Sequence, residues 1–305
     1  MDNWIQPSLS FTQDVLCFAS IGTTLFAGCA AGHVYKSTDN GASWTECSTG
    51  LPGYNVVALA VIGTKIFAGL RTGTAIYLDN GVYLSTDNGA TWNAVNTGLP
   101  DLRVWALCSK GTELFVGLNN DIYKSTNDGT LWTYTGIAIF GGTISSVIVH
   151  GTDLWAGGYT YGPYLSTDDG ATWAPKYTGI YGLGLQVTAM VFSGSNIFAA
   201  TVNAAGPYAM GIFISTDGGT TWNTCNTGLG NLTVYGLILV NGVLYAATAA
   251  GIYSSLNNGA LWELSGLSSL VANTLFYFNN SIYAGMNATV FLLMLLQETI
   301  QAIFI

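Results

Sequence analysis

Residues 85–92 read STDNGATW, and five closely related octapeptides occur elsewhere in the chain. They are STDNGASW at 37–44, STNDGTLW at 125–132, STDDGATW at 166–173, STDGGTTW at 215–222 and SLNNGALW at 255–262. Their final tryptophans follow one another at intervals of 48, 40, 41, 49 and 40 residues. A period of this length is typical of architectures in which each repeat is one supersecondary unit that stacks against its neighbours.

Each repeat carries four short apolar runs around its octapeptide, which we call the box. In the second repeat the runs are VVALAV at 56–61, KIFAG at 65–69, GVYLS at 81–85 and TWNAV at 91–95. Runs rich in β-branched and aromatic residues, separated by Gly, Asn and Asp, predict β-strands joined as hairpins. We label the four predicted strands of each repeat A to D in chain order.

Four strands in 40 to 50 residues make a unit of the size of one propeller blade. The sequence therefore predicts an all-β fold, a seven-bladed β-propeller of four-stranded antiparallel blades in one domain over residues 1–305. The predicted blades cover residues 11–50, 54–98, 101–135, 143–179, 185–228, 232–266 and 270–305, with 3–8 added to the last one.

The two ends of the chain decide how the predicted ring closes. Residues 3–6 (NWIQ) resemble the start of a strand D such as TWNA at 91–94. We therefore expect the N-terminal segment around Trp4 to supply the outer strand of the last blade, which removes an open sheet edge. Thr299–Ile303 competes for the same role. Residues 293–297 (LMLLQ) stand where a seventh box belongs, either through degeneration or through an altered reading frame.

The box predicts a tight turn between strands C and D. In the second copy Gly89 can adopt the positive φ of such a turn, and the Asp87 carboxylate and the Ser85 hydroxyl can bond its backbone. Trp92 can fill the space between two blades. A calcium loop is disfavoured because each box offers only one or two carboxylates. The residues predicted to be structural in this way are Asp39, Trp44, Asp87, Trp92, Asn127, Trp132, Asp168, Trp173, Asp217, Trp222, Asn257 and Trp262.

The chain carries very little charge. Charged residues make up 8% of the sequence, Lys and Arg together number seven, and the formal net charge is −9. Nucleic-acid binding requires basic side chains against phosphate, so this class of function is excluded. The apolar tail from residue 289 to 305 is too short and too interrupted by polar residues to span a bilayer.

Cysteine and histidine usage predicts neither a metal site nor a cofactor. The five cysteines form no CxxC pair and are expected to be small core residues; they are Cys17, Cys29, Cys47, Cys108 and Cys225. His33 and His150, the two histidines of the chain, lie in different predicted blades and cannot form a metal cluster together. No basic start or apolar stretch at residues 1–4 suggests a signal peptide.

The six boxes resemble the Asp-box or bacterial neuraminidase repeat, Ser-x-Asp-x-Gly-x-Thr-Trp, and the resemblance covers almost the whole chain. This family of sialidase-like and sortilin-like propellers includes sialidases, xyloglucan-cleaving glycosidases, sortilin-type receptors and a photosystem II assembly factor. The resemblance implies a propeller with its boxes on the face away from any active site. It does not imply one function, because the family contains both enzymes and binding modules.

An active sialidase of this family would hold the substrate carboxylate with three arginines. The chain contains only Arg71 and Arg103, so we predict that it is not a sialidase. A different glycoside hydrolase or a lyase is the alternative, because such an enzyme needs two carboxylates across one cleft. Asp79 and Asp101 are the candidates for that pair.

The connections opposite the boxes favour a binding function. The B–C and D–A connections, including 157–163 (GGYTYGP), are rich in Tyr, Asn and Gly, which suit carbohydrate or peptide recognition on a rigid scaffold. The predicted ligand-binding residues are Tyr54, Arg71, Tyr77, Asp79, Arg103, Tyr159, Tyr161, Tyr181 and Tyr208.

We therefore expect a non-enzymatic binding or adhesion module for a glycan or a protein partner, extracellular or at the cell surface of a bacterium. A further interpretation is a structural or assembly protein that self-associates through its apolar C-terminal tail, Leu292–Ile305.

Overall fold

The computed structural model describes residues 4–6, 13–72, 81–203, 210–287 and 289–294. Apart from one 3₁₀ turn at Ala30–Gly32, the regular structure of these residues is β-strand. The strands of the first half are β1 Trp4–Ile5, β2 Val15–Ile21, β3 Thr24–Cys29, β4 Val34–Ser37, β5 Thr45–Glu46, β6 Asn55–Ile62, β7 Lys65–Arg71, β8 Gly81–Ser85, β9 Asn93–Ala94, β10 Ala106–Lys110, β11 Glu113–Gly117, β12 Asn119–Ser125 and β13 Thr133–His150. Those of the second half are β14 Asp153–Tyr161, β15 Pro163–Ser166, β16 Ala174–Pro175, β17 Tyr181–Ser193, β18 Asn196–Asn203, β19 Ile212–Ser215, β20 Asn223–Thr224, β21 Val234–Val240, β22 Val243–Thr248, β23 Gly251–Ser255, β24 Glu263–Gly266, β25 Ala272–Phe278, β26 Ser281–Met286 and β27 Thr289–Met294.

The described strands pair antiparallel within their sheets, and strand is almost the only regular structure, which confirms the all-β prediction. Three sheets have the order β2-β3-β4-β5, β6-β7-β8-β9 and β21-β22-β23-β24. Each begins with a long strand and ends with a shorter outer one, because the box leaves few residues between its tryptophan and the next connection.

The middle of the chain forms one larger sheet, which differs from the predicted separate units. The predicted boundary at 136–142 lies inside β13, whose first part pairs with β12 and whose second part pairs with β14. The predicted loop at 157–163 is also partly strand, because β14 continues through Tyr161 and pairs with β17 at Tyr159↔Gln186 and Tyr161↔Tyr181. These connections satisfy their backbone groups on neighbouring strands rather than in solvent.

The first and the last described strands meet in a fourth sheet of the order β1-β27-β26-β25. Trp4 pairs with Leu293 and Ile5 with Leu292. The Trp4 indole N–H also donates to the Ser265 hydroxyl at 3.3 Å, which ties this strand to the preceding sheet. Residues 295–305, which include the competing segment Thr299–Ile303, lie outside the described residues.

Neighbouring sheets share hydrophobic cores. The core between the first two sheets includes Phe26, Val56, Ile66 and Trp92. The core between the last sheet and the first includes Leu25, Trp44 and Tyr283, and the Tyr283 hydroxyl donates to the Asn40 carbonyl at 2.9 Å.

The strand that begins each repeat, predicted as strand A, contacts the corresponding strand of the next repeat. The contacts run from β2 to β6, β10, β13, β17, β21 and β25 in turn, and β25 contacts β2. These strands surround a central space.

Candidate functional site

The boxes form hydrogen-bonded turns at one end of the sheets, which we call the box face. In the second box, the Ser85 hydroxyl donates to Asp87 Oδ1 and accepts from Gly89 N, both at 2.8 Å. Thr91 donates its backbone N–H to Asp87 Oδ1 at 2.9 Å and its hydroxyl to Oδ2 at 2.6 Å. Gly89 has a φ of 82°, and Trp92 is buried. The side chains of Ser85, Asp87 and Thr91 are thus engaged in bonds within the turn.

The same geometry recurs in the other boxes. The third residue accepts from the first and the seventh at Asp39, Asn127, Asp168, Asp217 and Asn257. Hydrogen bonds from the seventh residue lower the pKa of Asp39, Asp87, Asp168 and Asp217 to about 2. The other tryptophans are buried at Trp44, Trp132, Trp222 and Trp262 and half-buried at Trp173.

The fourth residue of the box reaches back to the preceding sheet. Asp128 and Asp169, at this position in the third and fourth boxes, form ion pairs with Lys65 and Lys110 near A–B turns. Asp128 has a φ of 57° and Asp169 a φ of 56°, values that Asn, Asp and Gly adopt most readily. The box face is therefore built from turns and links between sheets.

The predicted ligand-binding residues belong to the opposite end, which we call the link face because the B–C and D–A connections lie there. Of these residues, Tyr77, Asp79 and Tyr208 lie outside the described part of the chain. Tyr161 and Tyr181 pair through their backbones in β14 and β17. Tyr54 packs against the core between the first two sheets.

A central cavity of about 560 Å³ is lined by the first strands of the sheets. Its polar lining includes Arg71, Asn55, Gln186 and Tyr235 near the link face. Arg71 ends β7 and pairs with Asn55 at the start of β6, so the strand register places its side chain at the cavity mouth. The guanidinium carbon of Arg71 lies 3.8 Å from the ring centre of Trp105, and burial lowers the pKa of Arg71.

A chain of hydrogen bonds fixes Trp105 in place. Its indole N–H donates to Asn119 Oδ1 at 3.0 Å, and the Asn119 amide donates to Asp101 Oδ2 at 2.8 Å. Arg103 closes the chain with an Nη2–Oδ2 distance of 2.8 Å to Asp101. Burial raises the pKa of Asp101, but the bonds from Arg103 and Asn119 outweigh it, so the pKa is lowered overall. We call these residues, with Arg71, the mouth network.

A second cavity of about 510 Å³ lies beside the first on the link face. Trp105 and Gln186 line both cavities, while Asn119, Tyr159 and Thr143 line only the second. The Thr143 hydroxyl oxygen is buried without a hydrogen-bond partner among the described residues. The mouth network and Tyr159 therefore border a continuous recessed surface with unused hydrogen-bonding capacity.

The structure brings Arg71, Arg103 and Tyr159 of the predicted residues into this region, together with the catalytic candidate Asp101. Sequence reasoning missed Trp105, Asn119 and Gln186. One signal was present: Trp105 lies outside every box, close after Asp101 and Arg103 in a D–A connection. A partner such as Asn119, which comes from the following B–C connection, has no comparable signal.

The described residues contain no helix long and apolar enough to cross a membrane, and no group of three or more His, Cys, Asp or Glu that could hold a metal ion. All five cysteines are free, and Cys29 and Cys47 are buried.

Two segments of the chain, residues 83–94 and 213–224, match the family described as BNR/Asp-box repeat. The chain therefore contains BNR/Asp-box repeats, and the resemblance predicted from the boxes is confirmed. No curated protein matches the chain significantly.

Solved structures share the fold over nearly the whole chain. The structure described as YCF48 bound to D1 peptide has a TM-score of 0.72 and 12% identity, over 96% of this chain and 95% of that one. The extracellular domain of a putative hybrid two-component system from B. thetaiotaomicron has a TM-score of 0.77 and 16% identity, over 97% of this chain and 40% of that one. A GH74 xyloglucanase from Xanthomonas campestris has a TM-score of 0.72 and 15% identity, over 96% of this chain and 53% of that one.

This chain spans about half, or less, of the last two proteins. At such identities the likeness shows the fold alone. That fold is a β-propeller with BNR repeats.

Proposed function

We propose that the protein is a closed seven-bladed propeller that acts as a non-enzymatic binding module and recognises a protein or glycan partner through its link face. The circle of contacts that returns from β25 to β2 supports the closed ring. The pairing of Trp4 with Leu293 supports closure by the N-terminal strand.

The mouth network is the observation that carries the binding proposal. It holds Trp105 at the edge of two adjoining cavities through a chain of hydrogen-bonded side chains, and Arg71 lies against the Trp105 ring. A rigid aromatic and cationic surface loses little conformational entropy when a partner binds. Taken together, the described residues that line one cavity or the other offer amides, hydroxyls, a guanidinium and apolar faces. These groups are suited to the recognition of a partner.

The similar structures support both classes of partner. One propeller of this fold, YCF48, is described in complex with a peptide, and another belongs to a xyloglucanase. The extracellular domain from B. thetaiotaomicron supports our proposal of an extracellular or cell-surface location, together with the low charge of this chain.

The test is a glycan array combined with a pull-down on the full chain, followed by the variants Tyr159→Ala and Tyr277→Ala. Tyr159 lines the second cavity, whereas Tyr277 is an exposed tyrosine near the A–B turn of the last sheet. We expect Tyr159→Ala to weaken the binding of any ligand found by at least about tenfold, because aromatic anchors dominate such surfaces. Tyr277→Ala should leave binding unchanged. Blank results in both assays at high concentration would overturn the proposal.

A polysaccharide panel tests the hydrolase alternative directly. Asp101 is held by Arg103, and its lowered pKa keeps it ionised at neutral pH, which does not suit a general acid. Hydrolysis that is lost in Asp79→Asn or Asp101→Asn would replace the binding proposal with an enzymatic one.

Self-association through the C-terminal tail is a separate proposal. Because β27 continues to Met294 and pairs with β1, a deletion should begin at residue 295 and leave this pairing intact. Concentration-dependent oligomers that disappear on deletion of residues 295–305 would support the proposal, and a monomer at all concentrations would refute it.

A further inference from the structure

Beyond the first central cavity, the central space continues toward the A–B turns and the box face as a further compartment. A cavity of about 430 Å³ is lined by the following residues of the same first strands. We call the central cavity of about 560 Å³ the upper compartment and the one of about 430 Å³ the lower compartment. Residues 16–18 of β2 and 57–59 of β6 line the upper compartment, and residues 18–20 and 59–61 of the same strands line the lower one. Phe18, Leu59 and Phe276 line both. The two cavities therefore lie end to end along one channel with a common waist.

The channel changes polarity along its length. The described lining of the lower compartment is mostly aliphatic and aromatic, with Val61, Leu107 and Val149 as examples, and has no ionisable acid or base besides the Cys108 thiol. Burial raises the pKa of Cys108 to about 12, so this thiol is neutral. The upper compartment carries the positive charge of Arg71. One end is thus cationic and the other apolar.

Arg71 differs from Arg103 in its partners. Arg103 is neutralised by Asp101, whereas Arg71 has no hydrogen-bond or ion-pair partner among the described residues, and its guanidinium lies against the ring of Trp105. The side-chain amide of Gln186, which lines the same cavity, also has no partner among those residues. A half-buried guanidinium without an acceptor is costly to maintain unless a ligand supplies one.

We propose that the channel binds an amphipathic carboxylic acid, with its carboxylate on Arg71 and Gln186 and its apolar body directed toward Phe18, Leu59 and Phe276. This goes beyond the recognition of a macromolecular partner on the link face, because it assigns a small ligand to the interior of the ring. Asn55, opposite Arg71, precedes Leu59 by four strand residues, so the waist lies about 13 Å below the mouth. An acid of about eight carbons spans most of that distance.

The charge of the site favours a carboxylate over a phosphate. A single guanidinium balances one negative charge, whereas a phosphate monoester carries about −1.5 to −2 and would remain partly uncompensated in a recessed site. The Arg71 guanidinium lies against the Trp105 ring without a hydrogen bond to any described residue, so its N–H edges are open to a ligand. These edges match the planar geometry of a carboxylate.

The experiment is isothermal titration calorimetry of the full chain with octanoate, hexanoate, acetate and octanamide. We expect octanoate to bind about tenfold tighter than hexanoate, because each buried CH₂ contributes about threefold to fourfold in affinity. Acetate and octanamide should bind at least about tenfold more weakly than octanoate, since each lacks either the tail or the charge. Octanamide binding as tightly as octanoate, or no binding of any acid, would overturn the proposal.

The variant Arg71→Gln should weaken octanoate binding by about tenfold to a hundredfold. Lys176→Gln is the matched control. Lys176 directly follows the outer strand β16 and does not line the channel, so the loss of its charge should leave the affinity unchanged. Near-ultraviolet circular dichroism checks that both variants are folded. Equal affinity of Arg71→Gln and wild type for octanoate would also overturn the proposal. This outcome is independent of whether the link face binds a macromolecular partner.

A competition experiment with peptides distinguishes two possible sources of the carboxylate, a free small acid and the C-terminus of a peptide. A short apolar peptide with a free C-terminal carboxylate is compared with its C-terminal amide on wild type and on Tyr159→Ala. If the ligand is a free small acid, octanoate should bind wild type and Tyr159→Ala with equal affinity. Neither peptide should then compete with octanoate. Competition by the free-acid peptide alone would keep the carboxylate site but assign it to a chain end. Competition by both peptides would contradict a carboxylate site.

Discussion

The six boxes fall into two groups that solve the same turn with different chemistry. The Asp boxes, at 37–44, 85–92, 166–173 and 215–222, have Asp in third place and Ser or Thr in seventh. The Asn boxes, at 125–132 and 255–262, have Asn and Leu at these places. In an Asp box the second carboxylate oxygen accepts the hydroxyl of the seventh residue, as Asp87 accepts from Thr91 at 2.6 Å. In the Asn boxes, Leu131 and Leu261 have no hydroxyl to donate and are 48% and 42% exposed.

The bonds common to both groups show what the turn needs. In each box one side-chain oxygen of the third residue accepts from the first residue and from the backbone of the seventh. A neutral amide supplies this oxygen as well as a carboxylate does. The negative charge of the Asp boxes is therefore not required to form the turn. The residues at the third and seventh places vary together, as Asp with Ser or Thr and as Asn with Leu. The predictions below test how far the two groups are equivalent.

Two tryptophans that make the same kind of hydrogen bond, one from each group, should be equivalent and have the largest effect on stability. Trp44 and Trp173 donate instead to a glycine carbonyl of their own box. Trp92, in an Asp box, and Trp132, in an Asn box, are 3% and 2% exposed. Each donates its indole N–H to a carbonyl of the preceding sheet, at 2.8 and 2.7 Å. We expect Trp92→Ala and Trp132→Ala each to lower the free energy of unfolding by about 3–5 kcal/mol. Urea unfolding monitored by circular dichroism measures both. A much milder effect in one group would break the equivalence.

The next largest effect is expected at two glycines of the D–A connections, each of which contacts the tryptophan of the following box. Gly50 and Gly98 have φ values of 95° and 96°, and a Cβ at either would lie 2.3 Å from the carbonyl oxygen of the following box tryptophan. We expect Gly50→Ala and Gly98→Ala to cost about 2–3 kcal/mol each, from backbone strain and overlap together.

Gly63→Ala is the control for this pair. Gly63 has a φ of 59° but open space around its Cβ position, so the change should cost only about 1–2 kcal/mol of strain. Chemical unfolding of the three variants separates strain from overlap. Equal costs at Gly50 and Gly63 would show that the contact with the tryptophan backbone is unimportant.

The repeat units and the residue types of the box could be read from the sequence because they depend on local chemistry. Gly, Asp and Ser at fixed offsets predict a turn, and the alternation of apolar runs with such turns predicts hairpins. The continuous strand β13 could not be predicted in this way, because its course depends on pairing with β12 and β14 across the sheet. The contact of Gly50 with Trp92 was also missed, although the Thr-Gly pair recurs at 49–50, 97–98, 178–179 and 227–228.

The candidate site was less predictable than the fold for the same reason. Arg71 and Arg103 were identified as rare cations in connections, but nothing local distinguishes Arg103, which pairs with Asp101, from Arg71, which has no such partner among the described residues. That distinction depends on Asp101, Asn119 and Trp105, which approach one another only when strands β10 to β12 of the larger sheet pair. Residue type predicts which groups can act, and tertiary contacts decide which of them remain available.

The dependence of stability on pH should distinguish the two groups of boxes. Asp39, Asp87, Asp168 and Asp217 have a pKa of about 2 in the folded protein because the hydroxyl and N–H of the seventh residue bond the carboxylate. In the unfolded chain the pKa of Asp is about 3.9. The folded pKa is thus the lower one, so the stabilisation is complete above about pH 4 and is lost as pH falls toward 2.

Replacing these four aspartates by Asn should therefore flatten the fall in stability between about pH 4 and pH 2. Urea midpoints at the two ends of this range give the slope for wild type and variant. Other carboxylates, including Asp101, still titrate in both proteins, so the comparison of slopes is the measurement. An unchanged slope would mean that the hydrogen bonds of the Asp boxes do not favour the ionised carboxylate.

The smallest effect is expected when an Asn box is converted into an Asp box. The double variant Asn127→Asp with Leu131→Thr restores the second oxygen and its hydroxyl donor together, and it also removes an exposed apolar side chain. We expect it to raise the melting temperature by about 1–3 °C at neutral pH, in keeping with one additional exposed hydrogen bond. It should also steepen the loss of stability below about pH 4.

The single variants decide whether the pair acts as a unit. Asn127→Asp alone gains an oxygen without a hydroxyl donor, and Leu131→Thr alone faces an amide in place of a carboxylate. Melting temperatures of the four proteins form a double-mutant cycle, and we expect the double variant to exceed the sum of the single changes. Additive effects would show that the third and seventh places vary independently. The pairing of Asp with Ser or Thr, and of Asn with Leu, would then have no cause in the hydrogen bonds of the turn.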